Sequence, residues 1–218
     1  MNEAIRLYKE RKYEQALKEF LSVHVESSEY PELSYYLGLC YTQLGRYDEA
    51  VLYLEQVVGS DLGFAQLYQA RMVLGYIYAV TKRHRLAEFE FGQLLEEGFE
   101  SAKVYSALAY ACYYQGNVEE AIAHLEHALI MEPENANALN SLGYVLADQG
   151  TKLSRAISYC KRAVAKSPRN PAYLDSLAWC LYKNGRRKEA AEILKRAAKL
   201  GPGVAEIQEH LKIVNGGA

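Results

Sequence analysis

Apolar side chains recur every three or four residues along almost the whole chain, the spacing of one buried helical face. Leu33, Leu37, Cys40, Tyr41 and Leu44 set the pattern, and Leu74, Tyr78, Leu86, Ala87, Phe91 and Leu94 repeat it. Two columns within the pattern are held by small residues. The first is Gly38, Gly75, Ala109, Gly143 and Ala178, spaced 37, 34, 34 and 35 residues apart. The second is Ala50, Ala87, Ala121, Ala156 and Ala190, with Ala16 as an extra member; it follows twelve residues behind, except that Gly143 and Ala156 are thirteen apart. Helices approach closely only where one presents almost no side chain. Two such points separated by a short turn predict an antiparallel helix hairpin. One hairpin cannot bury its apolar face alone, so a period this regular predicts a stacked array.

The breakers agree with that period. Glycine at 45, 116, 150 and 185 splits hairpins, and Pro133, Pro168 and Pro202 end them, because proline cannot continue a helix. Tyr30-Pro31-Glu32 opens the second unit with proline where a first helical turn tolerates it. The third unit is the least regular: Thr81-Lys82-Arg83-His84 has no glycine, and Glu97-Gly98-Phe99 replaces the proline exit. The fifth carries one extra residue in its turn, within Thr151-Lys152-Leu153-Ser154-Arg155. The first is expected to be incomplete, since its small column projects onto Ala4 and leaves Ile5 and Leu7 poorly covered. Residues missing upstream or another surface would cover that end. After Gly203, Val204, Ile207, Leu211 and Val214 share one face of a polar-backed final helix, as a terminal cap requires. The expected organisation is an array over 1–203 of about six repeats, 1–29, 30–63, 64–100, 101–135, 136–170 and 171–203, followed by a capping helix and tail over 204–218.

Composition removes several classes. Half of the residues are apolar and 24% are charged, as in globular chains. A net charge of -2 gives no bulk attraction to nucleic acid or membrane, and no nucleic-acid-binding motif occurs. No run of apolar residues is long enough to span a bilayer or act as a secretory signal, which leads to a cytoplasmic expectation. A removed leader or anchor upstream of Met1 stays open. Cys40, Cys112, Cys160 and Cys180 lie in helical apolar patterns without metal-ligand spacing, and read as reduced core thiols. His124 and His127 with Glu120 share an outer helix but read as surface residues, so neither a metal nor another cofactor is expected. No phosphate loop or nucleophile motif occurs, and the chain is expected not to be an enzyme. Charge is uneven all the same: residues 86–136 hold ten Glu and one Lys, whereas 151–200 hold thirteen Lys or Arg against three acids.

The repeated phrase resembles the tetratricopeptide repeat (TPR) family, whose signature is Trp-x2-Leu-Gly-x2-Tyr, then Ala-x3-Phe, then Pro. Leu37-Gly38-x2-Tyr41 leads to Ala50-x3-Leu54, Leu142-Gly143-x2-Leu146 to Ala156 and Pro168, and Leu177-Ala178-x2-Leu181 to Ala190-x3-Leu194 and Pro202. The tryptophan column departs from the family, holding Ser34, Arg71, Tyr105, Leu139 and Leu174. Residues 137–197 are most similar to bacterial TPR proteins. The resemblance implies an all-α fold, a right-handed α-solenoid of antiparallel helix hairpins with a C-terminal capping helix. It also implies partner binding in a concave groove lined by the first helix of each repeat.

Projected onto those helices, the groove would carry Tyr35, Leu39 and Thr42, then Met72, Tyr76 and Ala79, then Ser106, Tyr110 and Tyr113, then Asn140, Tyr144 and Ala147, and last Asp175, Trp179 and Tyr182. Its central column reads Leu39, Tyr76, Tyr110, Tyr144, Trp179, which is either inter-repeat core or an aromatic binding ladder. With 19 tyrosines against 5 phenylalanines, the chain favours a surface half apolar and half wet. Asn137, Asn140 and Asp175 are placed to hydrogen-bond an extended peptide. None of the fifteen projected positions is lysine or arginine, which argues against the family's carboxylate clamp. The expected function is a non-catalytic scaffold or adaptor holding a protein or peptide segment in a tyrosine-rich groove. The alternative is a self-associating assembly module, a homo-oligomer built through the open first repeat and the acidic-middle, basic-end charge distribution.

Overall fold

A computed structural model describes residues 1–216; residues 217 and 218, the end of the expected capping segment, lie outside the described residues. Thirteen α-helices and no strand occur among the described residues. They group into two compact units, Met1–Glu100 and Ser101–Ala218. The first contains α1 (Asn2–Lys9), α2 (Tyr13–Ser22), α3 (Tyr30–Gln43), α4 (Tyr47–Val58), α5 (Phe64–Val80) and α6 (His84–Glu96). The second contains α7 (Ala102–Tyr114), α8 (Val118–Met131), α9 (Ala136–Asp148), α10 (Leu153–Lys166), α11 (Pro171–Lys183), α12 (Arg187–Leu200) and α13 (Ala205–Asn215). Consecutive helices pair as hairpins, and within each unit every hairpin packs on the next. No described helix is long and apolar enough to cross a membrane.

The small column sits where the two helices of a hairpin touch. A Cβ added at Gly38 would lie 2.6 Å from the Leu54 side chain, and one at Gly75 would strike the Phe91 ring. At Gly143 it would strike Cys160 Sγ and come within 2.9 Å of the Ala156 carbonyl oxygen. The second column is buried throughout: Ala16, Ala50, Ala87, Ala121, Ala156 and Ala190 have no accessible surface.

Each hairpin turn is built the same way. One residue takes a left-handed conformation, and the next N–H reaches back to a carbonyl in the preceding helix, a Schellman closure. Glycine fills that position at 45, 116, 150 and 185, and Arg11 (φ 61) and Lys82 (φ 61) fill it in the first and third turns. The closing bonds include Arg83 N to the Tyr78 carbonyl (2.7 Å) and Asn117 N to the Cys112 carbonyl (2.9 Å). The two turns without glycine therefore keep the geometry of the others and accept strain instead. In the fifth turn Lys152 (φ 46) follows Gly150, and the extra residue is absorbed there, so that Ala156 still faces Gly143.

Helix starts after the exits at Pro133 and Pro168 are capped by side chains. Asn135 Oδ1 accepts from Ala138 N (3.0 Å), and Asn170 Oδ1 accepts from Ala172 N (3.0 Å). Ser101 performs the same role for α7, accepting from Val104 N. In the first unit Tyr36 of α3 stacks on Phe20 of α2 at 5.3 Å and meets Tyr8 of α1 edge-on at 5.9 Å, which ties the short first hairpin to the second. Arg71 of α5, in the column where the family places tryptophan, donates to Glu90 of α6 (3.0 Å) and to Glu97 (2.8 Å). Burial raises the Glu90 carboxyl above its ordinary pKa, and Arg71 offsets part of that rise. All four cysteines are buried and none forms a disulfide; Cys160 and Cys180 bring their sulfurs to 3.5 Å, and Cys180 donates to the Gly143 carbonyl.

Candidate functional site

In the first unit the expected groove residues divide by exposure. Tyr35 and Leu39 are buried, and the Tyr35 hydroxyl donates to Gln69 Oε1 at 2.8 Å. Thr42 turns inward and donates to the Gly38 carbonyl, and Ala79 is buried. Met72 is half-buried. Tyr76 is the open member, 50% exposed, and the neighbouring Tyr47 raises its phenol pKa.

The second unit brings more of the expected residues together. Helices α7 and α9 present a run of tyrosines because each contributes the residue after its small-column member, with companions one turn away on α7. Tyr110 (44% exposed) lies 4.6 Å from Tyr114, ring to ring. Tyr113 meets Tyr114 at 5.3 Å and Tyr144 at 6.1 Å, both edge-to-face. The Tyr113 hydroxyl donates to Asp148 Oδ2 (2.8 Å), and Tyr144 shares the cavity lining with the Glu206 carboxylate. Burial, followed by those carboxylates, raises both phenols, and burial pushes Tyr114 up to about 12, so all three stay neutral donors. Ser106 and Ala147 sit behind this row, Ser106 donating to the Ala102 carbonyl and Ala147 fully buried.

Asp175 and Trp179 lie under α13. His210 Nδ1 bonds Asp175 Oδ2 at 2.9 Å, and the His210 ring stacks on Trp179 with centroids 4.2 Å apart and planes 14° from parallel. Asp175 is 4% exposed and Trp179 9%. Tyr182 stays half-buried beside Trp179 at 5.4 Å, and Lys183 places its ammonium 5.3 Å from the Trp179 ring. Burial on its own would lower the His210 pKa, but the bond and charge of Asp175, with Glu206 and Glu209, leave it raised. Of the expected asparagines, Asn137 is exposed and Asn140 half-buried with its Oδ1 unpartnered.

Between the tyrosine row and α13 is a cavity of about 180 Å³, lined among others by Tyr110, Tyr114, Asn140, Tyr144, Asp175 and Glu206. Tyr114, Glu206 and His210 are the residues that sequence reasoning did not place here. The signal for the last two is the spacing Glu206-x3-His210, which puts both on one helical face along with Ile207. The face that α13 buries is Ile207, His210 and Val214, whereas Val204 is 40% exposed and Leu211 half-buried. The apolar periodicity is thus shifted by a histidine whose polar ring is satisfied by Asp175. On α8, His127 stacks on the Tyr105 ring at 5.2 Å.

Solved structures give a consistent picture of the fold. The chain is similar to TTC0263, a thermophilic TPR protein of Thermus thermophilus, with 21% identity and a TM-score of 0.67 over 85% of this chain and 98% of that one. It is similar to PilW, a type IV pilus biogenesis factor, with 22% identity and a TM-score of 0.70 over 86% and 87%. It is also similar to YrrB, a TPR protein with an unusual peptide-binding site, with 18% identity and a TM-score of 0.59 over 92% and 97%. No curated protein matches the chain. One tetratricopeptide repeat model matches residues 1–63 and 106–171, and a second matches 151–211. With its period, its paired helices and these matches taken together, the chain belongs to the tetratricopeptide repeat family.

Proposed function

We propose that this chain is a non-catalytic scaffold that holds an extended segment of a partner protein on the tyrosine-bearing face of α7 and α9, with α13 as its terminal cap. The observation that carries the reading is the row Tyr110, Tyr113, Tyr114 and Tyr144, only partly buried and bordering a cavity within one unit. Tyrosine presents a large rigid apolar face and a hydrogen-bonding tip at little entropic cost, which suits a surface that is buried only when a partner arrives. The likeness to YrrB, which has a peptide-binding site, supports the same reading. Selection of random peptides on the immobilised full chain tests it. Recovered peptides should lose at least about tenfold in affinity on the double change Tyr110→Ala and Tyr114→Ala, roughly one hot-spot side chain, with the far-UV signal unchanged. Binding that survives the double change refutes it. A self-associating reading rests on the opposite charges of residues 86–136 and 151–200, and predicts an oligomer that dissociates in high salt during sedimentation.

A further inference from the structure

The cavity beside α13 is chemically one-sided. Two carboxylates line it, Asp175 and Glu206, and no lysine, arginine or histidine does. Asp175 is the informative one: its side chain is 5% exposed, its Oδ2 is taken by His210, and its Oδ1 has no hydrogen-bond partner. Asn140 Oδ1, also on the lining, has none either. A buried carboxylate oxygen without a donor is costly, and the cost is removed when a donor arrives. Around these acceptors stand the rings of Tyr110, Tyr113, Tyr114 and Tyr144, whose electron-rich faces attract a cation within about 6 Å. At about 180 Å³ the space falls below the roughly 300–1,000 Å³ of a pocket for a whole small ligand, and suits a single long side chain.

We propose that this cavity receives the guanidinium or ammonium group of one arginine or lysine side chain on the partner segment. This deepens the scaffold reading and rests on it: Asp175 Oδ1 and Asn140 Oδ1 accept from the cation, Glu206 supplies a second negative charge, and the tyrosines surround the alkyl stem. Arginine is the better fit, since its planar fork offers several donors at once. A divalent metal is the competing cation, because ligand atoms of Asp175, Glu206 and His210 lie within 4.8 Å of one another. The observed bond favours the organic cation, since His210 Nδ1 already engages Asp175 and is not free for a metal.

The test uses the ¹⁵N-labelled full chain and two neutral-capped amino acids, N-acetyl-arginine methylamide and its uncharged isostere N-acetyl-citrulline methylamide. The arginine probe should shift amides around Asn140, Tyr144, Asp175 and Glu206 saturably, at least about tenfold more tightly than citrulline, the discrimination expected of a charge-assisted bond. Glu206→Gln should weaken the arginine probe without disturbing α13, and Asp175→Asn should abolish it. The comparison of the two probes on the unaltered chain stands even if Asp175→Asn unseats α13. Equal shifts from both probes, shifts elsewhere, or none would overturn the proposal. So would saturable binding of Zn²⁺ alone that depends on Asp175 while arginine gives no shift, or an oligomer abolished by Asp175→Asn, which would make a second copy the occupant. Failure here with peptides still captured through Tyr110 and Tyr114 leaves the scaffold reading intact; loss of that capture removes both.

Discussion

Changing Gly143 to alanine separates helix propensity from packing. In an open helix interior the change stabilises by about 1 kcal/mol, because glycine gives up more backbone freedom on folding. Gly92 of α6 provides that reference, since a Cβ there meets nothing within 4 Å. At Gly143 the new methyl would overlap Cys160 Sγ and lie 2.9 Å from the Ala156 carbonyl oxygen and 3.3 Å from Cys160 N. The sulfur could rotate away, but the two backbone atoms belong to α10 and yield only if the helices separate. Overpacking of this kind costs about 1–3 kcal/mol, so after the propensity gain Gly143→Ala should lose up to about 2 kcal/mol. With a urea slope of about 2 kcal/mol per molar, its unfolding midpoint, followed by far-UV circular dichroism, should fall by up to about 1 M. Gly92→Ala should raise the midpoint instead. Adding Cys160→Ala to Gly143→Ala should not restore stability, because the carbonyl contact remains. If Gly143→Ala and Gly92→Ala shift the midpoint upward alike, close approach of α9 and α10 is not what selects glycine.

Three other measurements probe separate features. Lys82→Gly should stabilise the first unit by about 0.5–1 kcal/mol in thermal unfolding, since a left-handed lysine is strained by about 1–2 kcal/mol and glycine returns part of that as chain entropy; a lower melting temperature would contradict it. Arg71→Ala leaves the buried Glu90 carboxylate unpaired and should cost about 3 kcal/mol, with much of the loss recovered by adding Glu90→Gln. Because Glu90 has a raised pKa, the single variant should weaken further as pH rises through that pKa; equal loss at every pH would argue for packing alone. The His210 pKa is also raised, so its contribution to docking α13 is complete below about pH 6.5 and is lost as pH rises through the folded value. Trp179, the single tryptophan, stacks on His210 and should report that loss as a change in emission as pH rises above about 6.5, absent in His210→Ala.

The array was legible because its determinants are steric and local. Gly38, Gly75 and Gly143 mark helix contacts that permit no side chain, and a residue type under that constraint shows in a single sequence. Lys82 shows the limit of such reading: composition makes its turn look irregular, yet the backbone closes it with the same bonds that glycine allows elsewhere, only with more strain. Among the groove positions, Tyr35 and Tyr76 have similar side chains and opposite surroundings. What decides is the neighbour that covers them, Gln69 for Tyr35 and open solvent for much of Tyr76, and that depends on tertiary placement. Asp175 and Trp179 were expected among the groove residues, and the cover that α13 lays over them was hidden for the same reason. A histidine reads as polar in a hydrophobic pattern, and its burial becomes acceptable only through a carboxylate 35 residues away in sequence.

The fifth turn carries a practical implication. Its additional residue is taken up by a second left-handed position at Lys152, and Gly143 still meets Ala156 as though nothing had been inserted. Length variation at that joint is therefore decoupled from the registry of the helices on either side. A short peptide tag or a pair of labelling cysteines could be spliced in beside Lys152, giving a spectroscopic handle on the second unit that leaves its tyrosine face untouched.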